Sequence, residues 1–313
     1  MKINKILVLM VLIISIVSLT STVNAAVHPI EGISSSEIQA IIDYDVNEGD
    51  TLNFTGNFTS ISLISDISLN FIGNNQTVID NSGDSSLTAF TFVGAANVNI
   101  TGFNITGGNH SITFVNVTGG TIQDNKFMGQ VSNGINIDNS NCLKVIGNDF
   151  TNSGNDGVSI YRNAHDVNFT FNNFVNMPWG IYFGGGVYNV IVGYNYFYAA
   201  GTAVDINRTA DRIKVLYNHI DGGNVANSIG ISLKEGDTRH DPLNPTKVNQ
   251  VEIIGNTIKN NNIGILFYNV TSWGNITCNY NGFYNNNQDI AIEITSIMLK
   301  AVWMRLIDTN IFG

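Results

Sequence analysis

Charge is what this 313-residue sequence has least of. Asp, Glu, Lys and Arg make up 12% of it, where soluble domains carry about 25%. Hydrophobic residues reach 43%, so the composition is not that of a disordered chain, which pairs high charge with low hydrophobicity. The 14 Lys+Arg stand against 24 Asp+Glu, a net charge of −10. No basic run occurs, which argues against nucleic-acid binding, since that needs a basic footprint. Two cysteines and five histidines appear without a Cys-x-x-Cys or His-Glu-x-x-His spacing, so no transition-metal site is visible. Long apolar runs are also missing, with one exception at the N-terminus, Ile6 to Leu19. It follows Lys2 and Lys5 and precedes the small residues around Ala25-Ala26. These are the three parts of a secretory signal peptide, and the run falls short of the ~20 residues of a membrane span. An uncleaved N-terminal anchor is the alternative; either way the rest of the chain is expected outside the cell. Residues 1–25 are read as the signal, and losing Lys2 and Lys5 takes the charge from −10 to −12. No membrane span is expected after cleavage.

What the sequence has in excess is asparagine, 47 residues, with 31 glycines. Much of that excess falls in register. One phrase reads Ile122-Gln-Asp-Asn125-Lys-Phe127, then Val145-Ile-Gly-Asn148-Asp-Phe150, then Phe169-Thr-Phe-Asn172-Asn-Phe174. It continues through Asn195, Asn218, Asn256 and Asn281, at spacings of 23, 24, 23, 23, 38 and 25. One period earlier Phe103 takes the Asn column. A second phrase runs in step: Ile135-Asn-Ile137, Val158-Ser-Ile160, Ile181-Tyr-Phe183, Val204-Asp-Ile206, Ile231-Ser-Leu233, Ile265-Leu-Phe267 and Ile290-Ala-Ile292. Apolar residues at every second place are the mark of a strand with one buried face. Gly134, Gly157, Gly180, Gly230 and Gly264 precede it, which suggests corners outside ordinary backbone space. Short strands at a constant period, without a hairpin turn at each, predict a parallel β-helix. Coils stack at about 4.8 Å, so about ten of them make a rod roughly 50 Å long. Asn at a corner tolerates the left-handed conformation, and stacked amides satisfy one another.

The fold expected is therefore all-β: a right-handed parallel β-helix over residues 51–294, one solenoid in place of the two domains that length alone suggests. Residues 26–50 are read as an N-terminal cap. Ser34 and Glu37 form a capping box, opening a short helix through Ile38, Ile41 and Ile42 that covers the end of the core. Residues 295–313 lose the repeat and are either a C-terminal cap or an abnormal end. Cys142 and Cys278 lie about five coils, or about 24 Å, apart and are expected as free thiols. Eleven Asn-x-Ser/Thr sequons occur, many of them in strands or corners.

This rung grammar resembles the right-handed parallel β-helix proteins of the pectate-lyase-like superfamily, over about residues 35 to 294. The Asn-rich, charge-poor, exported style is most similar to adhesin-like surface proteins of methanogenic archaea. That resemblance implies a non-catalytic, extracellular protein that binds a polysaccharide or surface glycan and needs no cofactor. The superfamily also holds enzymes, so a polysaccharide lyase or glycoside hydrolase acting on uronate polysaccharide is the alternative. Three fragments resemble polygalacturonases: Asn136-Ile-Asp138, Asn155-Asp156 and Arg212-Ile213-Lys214. The second has one Asp where that family has two, the family's His-Gly has no counterpart, and Lys214 falls on a different strand from Asp138.

Outward positions beside the second phrase are the candidate site. Tyr161, Tyr182 and Tyr268 offer a stacking face for sugar rings, although tyrosine also fills strand surfaces for packing reasons. Asp205 and Asn207 join them as ligand-binding candidates. The insertion behind the spacing of 38 concentrates charge, Lys234 through Lys247, and carries two of the four prolines. A long charged loop on a rigid rod is a place for function, or a solvated bulge that a solenoid tolerates. If the protein is a lyase, Lys234, Arg239, Asp205 and Asp241 would carry it, with Ca²⁺ neutralising the uronate carboxylate. Arg162, Asp166 and Arg208 on earlier coils would extend that site. Oligomeric state is not legible.

Overall fold

A computed structural model describes residues 25–235, 247–270 and 275–293. The signal reading of residues 1–25 lies almost wholly outside these residues. The tail 295–313 also lies outside them, as does most of the insertion, including Arg239 and Asp241.

The chain winds into a right-handed parallel β-solenoid of about eleven coils. All 27 described strands belong to one continuous parallel ladder system, with three strand faces per coil. Face one carries the first phrase, as in Asn141–Ile146, His165–Thr170 and Val187–Gly193. Face two is a short strand just after the asparagine, such as Asp149–Thr151 or His219–Asp221. Face three carries the second phrase. Its inward column runs Ile135, Val158, Ile181, Val204, Ile231, Ile265, Ile290 in unbroken register. Across the insertion the register resumes, Ile213 pairing with Val251. At its neck the buried Glu235 accepts the backbone N–H of Val248 through Oε1 at 2.9 Å.

The core is a set of ladders. Phe127, Phe150, Phe174 and Phe197 stack at 5.0, 4.7 and 4.8 Å between ring centroids, which is the coil repeat itself. Beside them runs the asparagine ladder. Each Nδ2 donates to the Oδ1 of the next asparagine, from Asn125 through Asn148, Asn172, Asn195, Asn218 and Asn256 to Asn281, at 2.9–3.1 Å. The backbone N–H of each ladder asparagine from Asn125 to Asn256 donates to the same Oδ1. The ladder begins at the Phe103 N–H, which donates to Asn125.

Two expectations about the corners change. The ladder asparagines are not left-handed; the residue before each one is, as at Asp124 (φ 54°), Tyr194 (φ 57°) and Tyr217 (φ 54°). The glycines that open face three do not have positive φ either. A Cβ on Gly157 would lie 2.6 Å from the Phe174 ring and 2.8 Å from the carbonyl oxygen of Gly180. Glycine stands there because the phenylalanine ladder presses against the backbone.

One short helix stands near the N-terminal end. Ser34 and Glu37 form the capping box of the helix Ser35–Tyr44, which buries Ile38 and Ile42 over the core. Gln39 bonds both the N–H and the carbonyl of Ile64. Unforeseen is the strand Val27–Glu31, which pairs in parallel with Thr51–Thr55, so the first coil begins before the helix. No disulfide joins the two cysteines, Cys142 being exposed and Cys278 buried. No helix among the described residues is long and apolar enough to cross a membrane.

Candidate functional site

Face three bears the outward residues that sequence alternation selected. One outward column reads Asn136, Ser159, Tyr182, Asp205, Ser232. A second reads Asn207, Lys234, Tyr268, Glu293, with Asp138 and Tyr161 in register at its other end. A third feature is new. The residue just before the face-three glycine also points outward, which puts Asp156 and Trp179 side by side in register.

These columns enclose a cleft of about 440 Å³, lined by Asn155, Asp156, Trp179, Tyr182, Asp205, Asn207, Arg208 and Lys234. Two carboxyls sit in its floor. Asp205 is 1% exposed; Ser232 Oγ donates to its Oδ1, and Lys234 Nζ lies 3.0 Å from its Oδ2. Asp156 is 2% exposed and accepts the Ser159 hydroxyl at Oδ2. Burial pushes the Asp156 carboxyl up to about 6; the Ser159 bond offsets part of this, and the nearby Asp205 charge reinforces it. Arg208 closes one side, its Nη1 donating to the Gly184 carbonyl at 3.2 Å. Trp179 and Tyr182 meet edge to face, 6.4 Å between centroids.

An adjoining polar group extends the face toward the N-terminus. The Tyr161 hydroxyl donates to Asn136 Oδ1, and Arg162 lies over the Tyr161 ring at 5.3 Å. The Arg162 Nε is 3.2 Å from Asp138 Oδ1. Burial raises the Asp138 carboxyl above its ordinary range, with Arg162 opposing the rise. Burial likewise raises the Tyr161 phenol.

The structure therefore brings together Tyr182, Asp205, Asn207 and Lys234 of the sequence candidates. Tyr161 lies on the adjoining stretch, half-buried and bonded through its hydroxyl. Tyr268 pairs with Lys234 one coil on but does not line the cleft. Lys214, from the polygalacturonase-like fragment, is on face one, paired with Glu252 at 3.2 Å. Trp179 was not among the site candidates, and Asp156 entered only through the polygalacturonase-like fragment. Both stand in register just before the face-three glycine rather than in the apolar alternation, which does select Ser159 and Ser232. Chemically, the cleft offers a proton-holding carboxyl, a carboxylate paired with an ammonium, a guanidinium and two aromatic rings. Among the described residues no group of three His, Cys, Asp or Glu side chains stands together as a metal cage.

No protein-family model and no curated protein matches the chain. Solved structures do. The chain is similar to an alginate lyase from Paenibacillus sp. str. FPU-7 (TM-score 0.58, 12% identity, covering 85% of this chain and 99% of that one). It is similar to PfbA, a surface adhesin of Streptococcus pneumoniae (0.56, 14%, 78% and 80%). It is also similar to a family 28 exopolygalacturonase from Yersinia enterocolitica (0.61, 10%, 86% and 76%). At these identities the likeness is one of fold: the chain has the right-handed β-helix architecture of these proteins.

Proposed function

We propose that the protein is an exported, adhesin-like β-helix protein that binds an extracellular polysaccharide or surface glycan in the face-three cleft. One observation carries this. A chain with 12% charged residues gathers Asp156, Asp205, Arg208 and Lys234 with Trp179 and Tyr182 around one cavity. Few polar groups converging among aromatic walls is the usual make-up of a ligand site. Arg208 and Lys234 suit acidic substituents, the rings suit the apolar faces of sugars, and Asn155 and Asn207 suit hydroxyls. The adhesin among the fold neighbours supports this reading, and the methanogen-like composition points the same way.

A second reading, cleavage of the bound glycan, is favoured by Asp156. A carboxyl that keeps its proton up to about pH 6 beside another carboxylate suits protonation of a glycosidic oxygen. In the elimination version, Lys234 as the neutral amine would take the proton next to a uronate carboxylate that Arg208 neutralises, while the glycosidic C–O bond breaks and Asp156 gives its proton to the leaving oxygen. Ca²⁺ belongs to that version, but the described residues do not form a cage for it, and no step is assigned to it.

The test is to incubate the exported chain with a panel of uronate polysaccharides, with and without Ca²⁺. Retention is followed by affinity electrophoresis, and turnover by the absorbance of unsaturated product and by reducing ends. Binding without turnover, weakened at least tenfold by Lys234→Ala or Tyr182→Ala, is the expected result. Turnover abolished by Asp156→Asn would replace the binding reading with the enzymatic one. No retention on any member of the panel would overturn both.

A further inference from the structure

The edge of the rod between faces one and two carries a second aromatic feature, remote from the cleft in the coil. The residue before each ladder asparagine has a left-handed backbone. Along the rod this column reads Asp124, Gly147, Phe171, Tyr194, Tyr217, Gly255 and Tyr280. Asp and Gly are ordinary occupants there, but a bulky aromatic at positive φ is an outlier. Four appear, and all are well exposed: Phe171 64%, Tyr194 54%, Tyr217 52% and Tyr280 71%. Phe171, Tyr194 and Tyr217 stack at 5.5 and 5.3 Å, within 19° of parallel. On the adjoining face two, Tyr196 stacks on His219 at 5.2 Å, and Tyr198 and Tyr284 are exposed. Six of the eleven tyrosines of the chain thus collect on this edge. Core packing does not explain them, since their rings are outside.

The column has a gap. Gly255 puts no side chain into the column on that coil, and the Tyr217 ring leans over it, two of its carbons 2.5 Å from where a Cβ would stand. Tyr280 resumes the column one coil further on. Tyr217 and Tyr280 are then two coils apart, roughly 9.6 Å, which leaves the thickness of one ring between their levels.

We propose that this edge is a second glycan-binding surface, at which a neutral sugar ring docks into the gap between Tyr217 and Tyr280. It does not rest on the cleft or on what the cleft binds. Neutrality follows from the surroundings: the charges beside the patch compensate each other, Lys259 lying 3.3 Å from Asp221 while Asn260 donates to the same carboxylate. Hydroxyl-tipped rings suit a hydroxylated ligand with apolar C–H faces rather than a lipid. A second copy of the chain is disfavoured by size. The patch spans about 13 Å across Tyr194 to Tyr198 and about 19 Å over four coil steps, about 250 Å², against the ~800 Å² per partner of a stable interface. Stacking also fixes the rings in advance, so little side-chain order is lost on binding.

The experiment uses β-1,4-linked hexamers of glucose, mannose and xylose as probes, followed by calorimetry and by the tyrosine-ring NMR signals of the unaltered chain. At least one hexamer is expected to bind and to shift the rings of Tyr217 and Tyr280. Tyr217→Asn and Tyr280→Asn should each weaken it at least tenfold, because asparagine accepts the left-handed backbone and spares the fold. Tyr44→Asn on the short helix should have no effect. Absence of binding by all three hexamers, ring shifts confined to other tyrosines, or sedimentation showing a dimer that the corner variants dissolve would each overturn the proposal.

Discussion

The asparagine ladder makes a quantitative prediction at Asn172, which is 1% exposed in mid-rod. Its Oδ1 accepts from the N–H of Asn148 at 3.0 Å and from Asn148 Nδ2 at 3.1 Å. Its Nδ2 donates to the Val145 carbonyl at 2.8 Å and to Asn195 Oδ1 at 3.1 Å. In Asn172→Ala the Asn148 N–H loses its acceptor and the Val145 carbonyl loses a donor, both inside the rod. Each buried group left unsatisfied costs about 1–3 kcal/mol, and the vacated amide volume adds to it. We expect a loss of about 3–5 kcal/mol. A solenoid couples each coil mainly to its neighbours, so the loss should be local. Hydrogen exchange by mass spectrometry is the deciding readout, because long repeat arrays need not unfold as one unit. Protection should fall between about residues 143 and 197 and hold at residues 51–105, alongside a lowered urea midpoint. The control is Asn176→Gly at an exposed left-handed corner (φ 57°), expected within about 0.5 kcal/mol of the parent. A loss below about 1 kcal/mol at Asn172, or protection lost evenly along the rod, would refute the idea that the ladder is an energetic element.

Three further outcomes follow from the same structure. Gly180→Ala places a Cβ 2.5 Å from the Ala203 carbonyl oxygen and 2.6 Å from the Phe197 ring. It should cost about 2–3 kcal/mol by urea unfolding, whereas Gly83→Ala, with nothing within 4 Å, should be neutral. Asp156 keeps its proton in the folded chain up to about pH 6, from an ordinary 3.8. The folded state then binds more protons between about pH 4 and 6, so this group makes stability fall as pH rises through that window, by at most about 3 kcal/mol. Asp156→Asn should flatten that slope, and an unchanged pH profile of the urea midpoint would contradict the buried carboxyl. For the cysteines, burial pushes the Cys278 thiol up to about 11, while Cys142 is exposed. A thiol reagent at pH 8 should label one cysteine quickly and the other only on unfolding; two fast phases would count against the buried site.

The repeat was readable in the sequence because each coil contacts the coil one period away, so the same residue type recurs in every column. Asn125 to Asn281 could be placed in a stacked corner column and Ile135 to Ile290 inward from spacing alone, and the Ser34–Glu37 capping box from a local motif. The glycines were found but given the wrong reason. Positive φ is a local property, while the collision of a Gly157 Cβ with the Phe174 ring belongs to packing between coils. The left-handed residue was likewise placed one position too late. In the candidate site, Asp205, Asn207, Lys234 and Tyr182 followed from outward alternation, but Asp156 and Trp179 did not, since the backbone before the glycine leaves the strict period of two.

By itself, then, the sequence determined the period, the inward columns, the Ser34–Glu37 capping box and the scarcity of charge, all consequences of local pattern repeated in register. Only the tertiary structure decided which of the scarce charges meet. Asp156 and Asp205 belong to different coils, and their burial, their serine partners and the Lys234 contact depend on how successive coils align. The exposed tyrosines needed the structure for the same reason: a ring at one corner has meaning only from the ring, or the glycine, on the next coil.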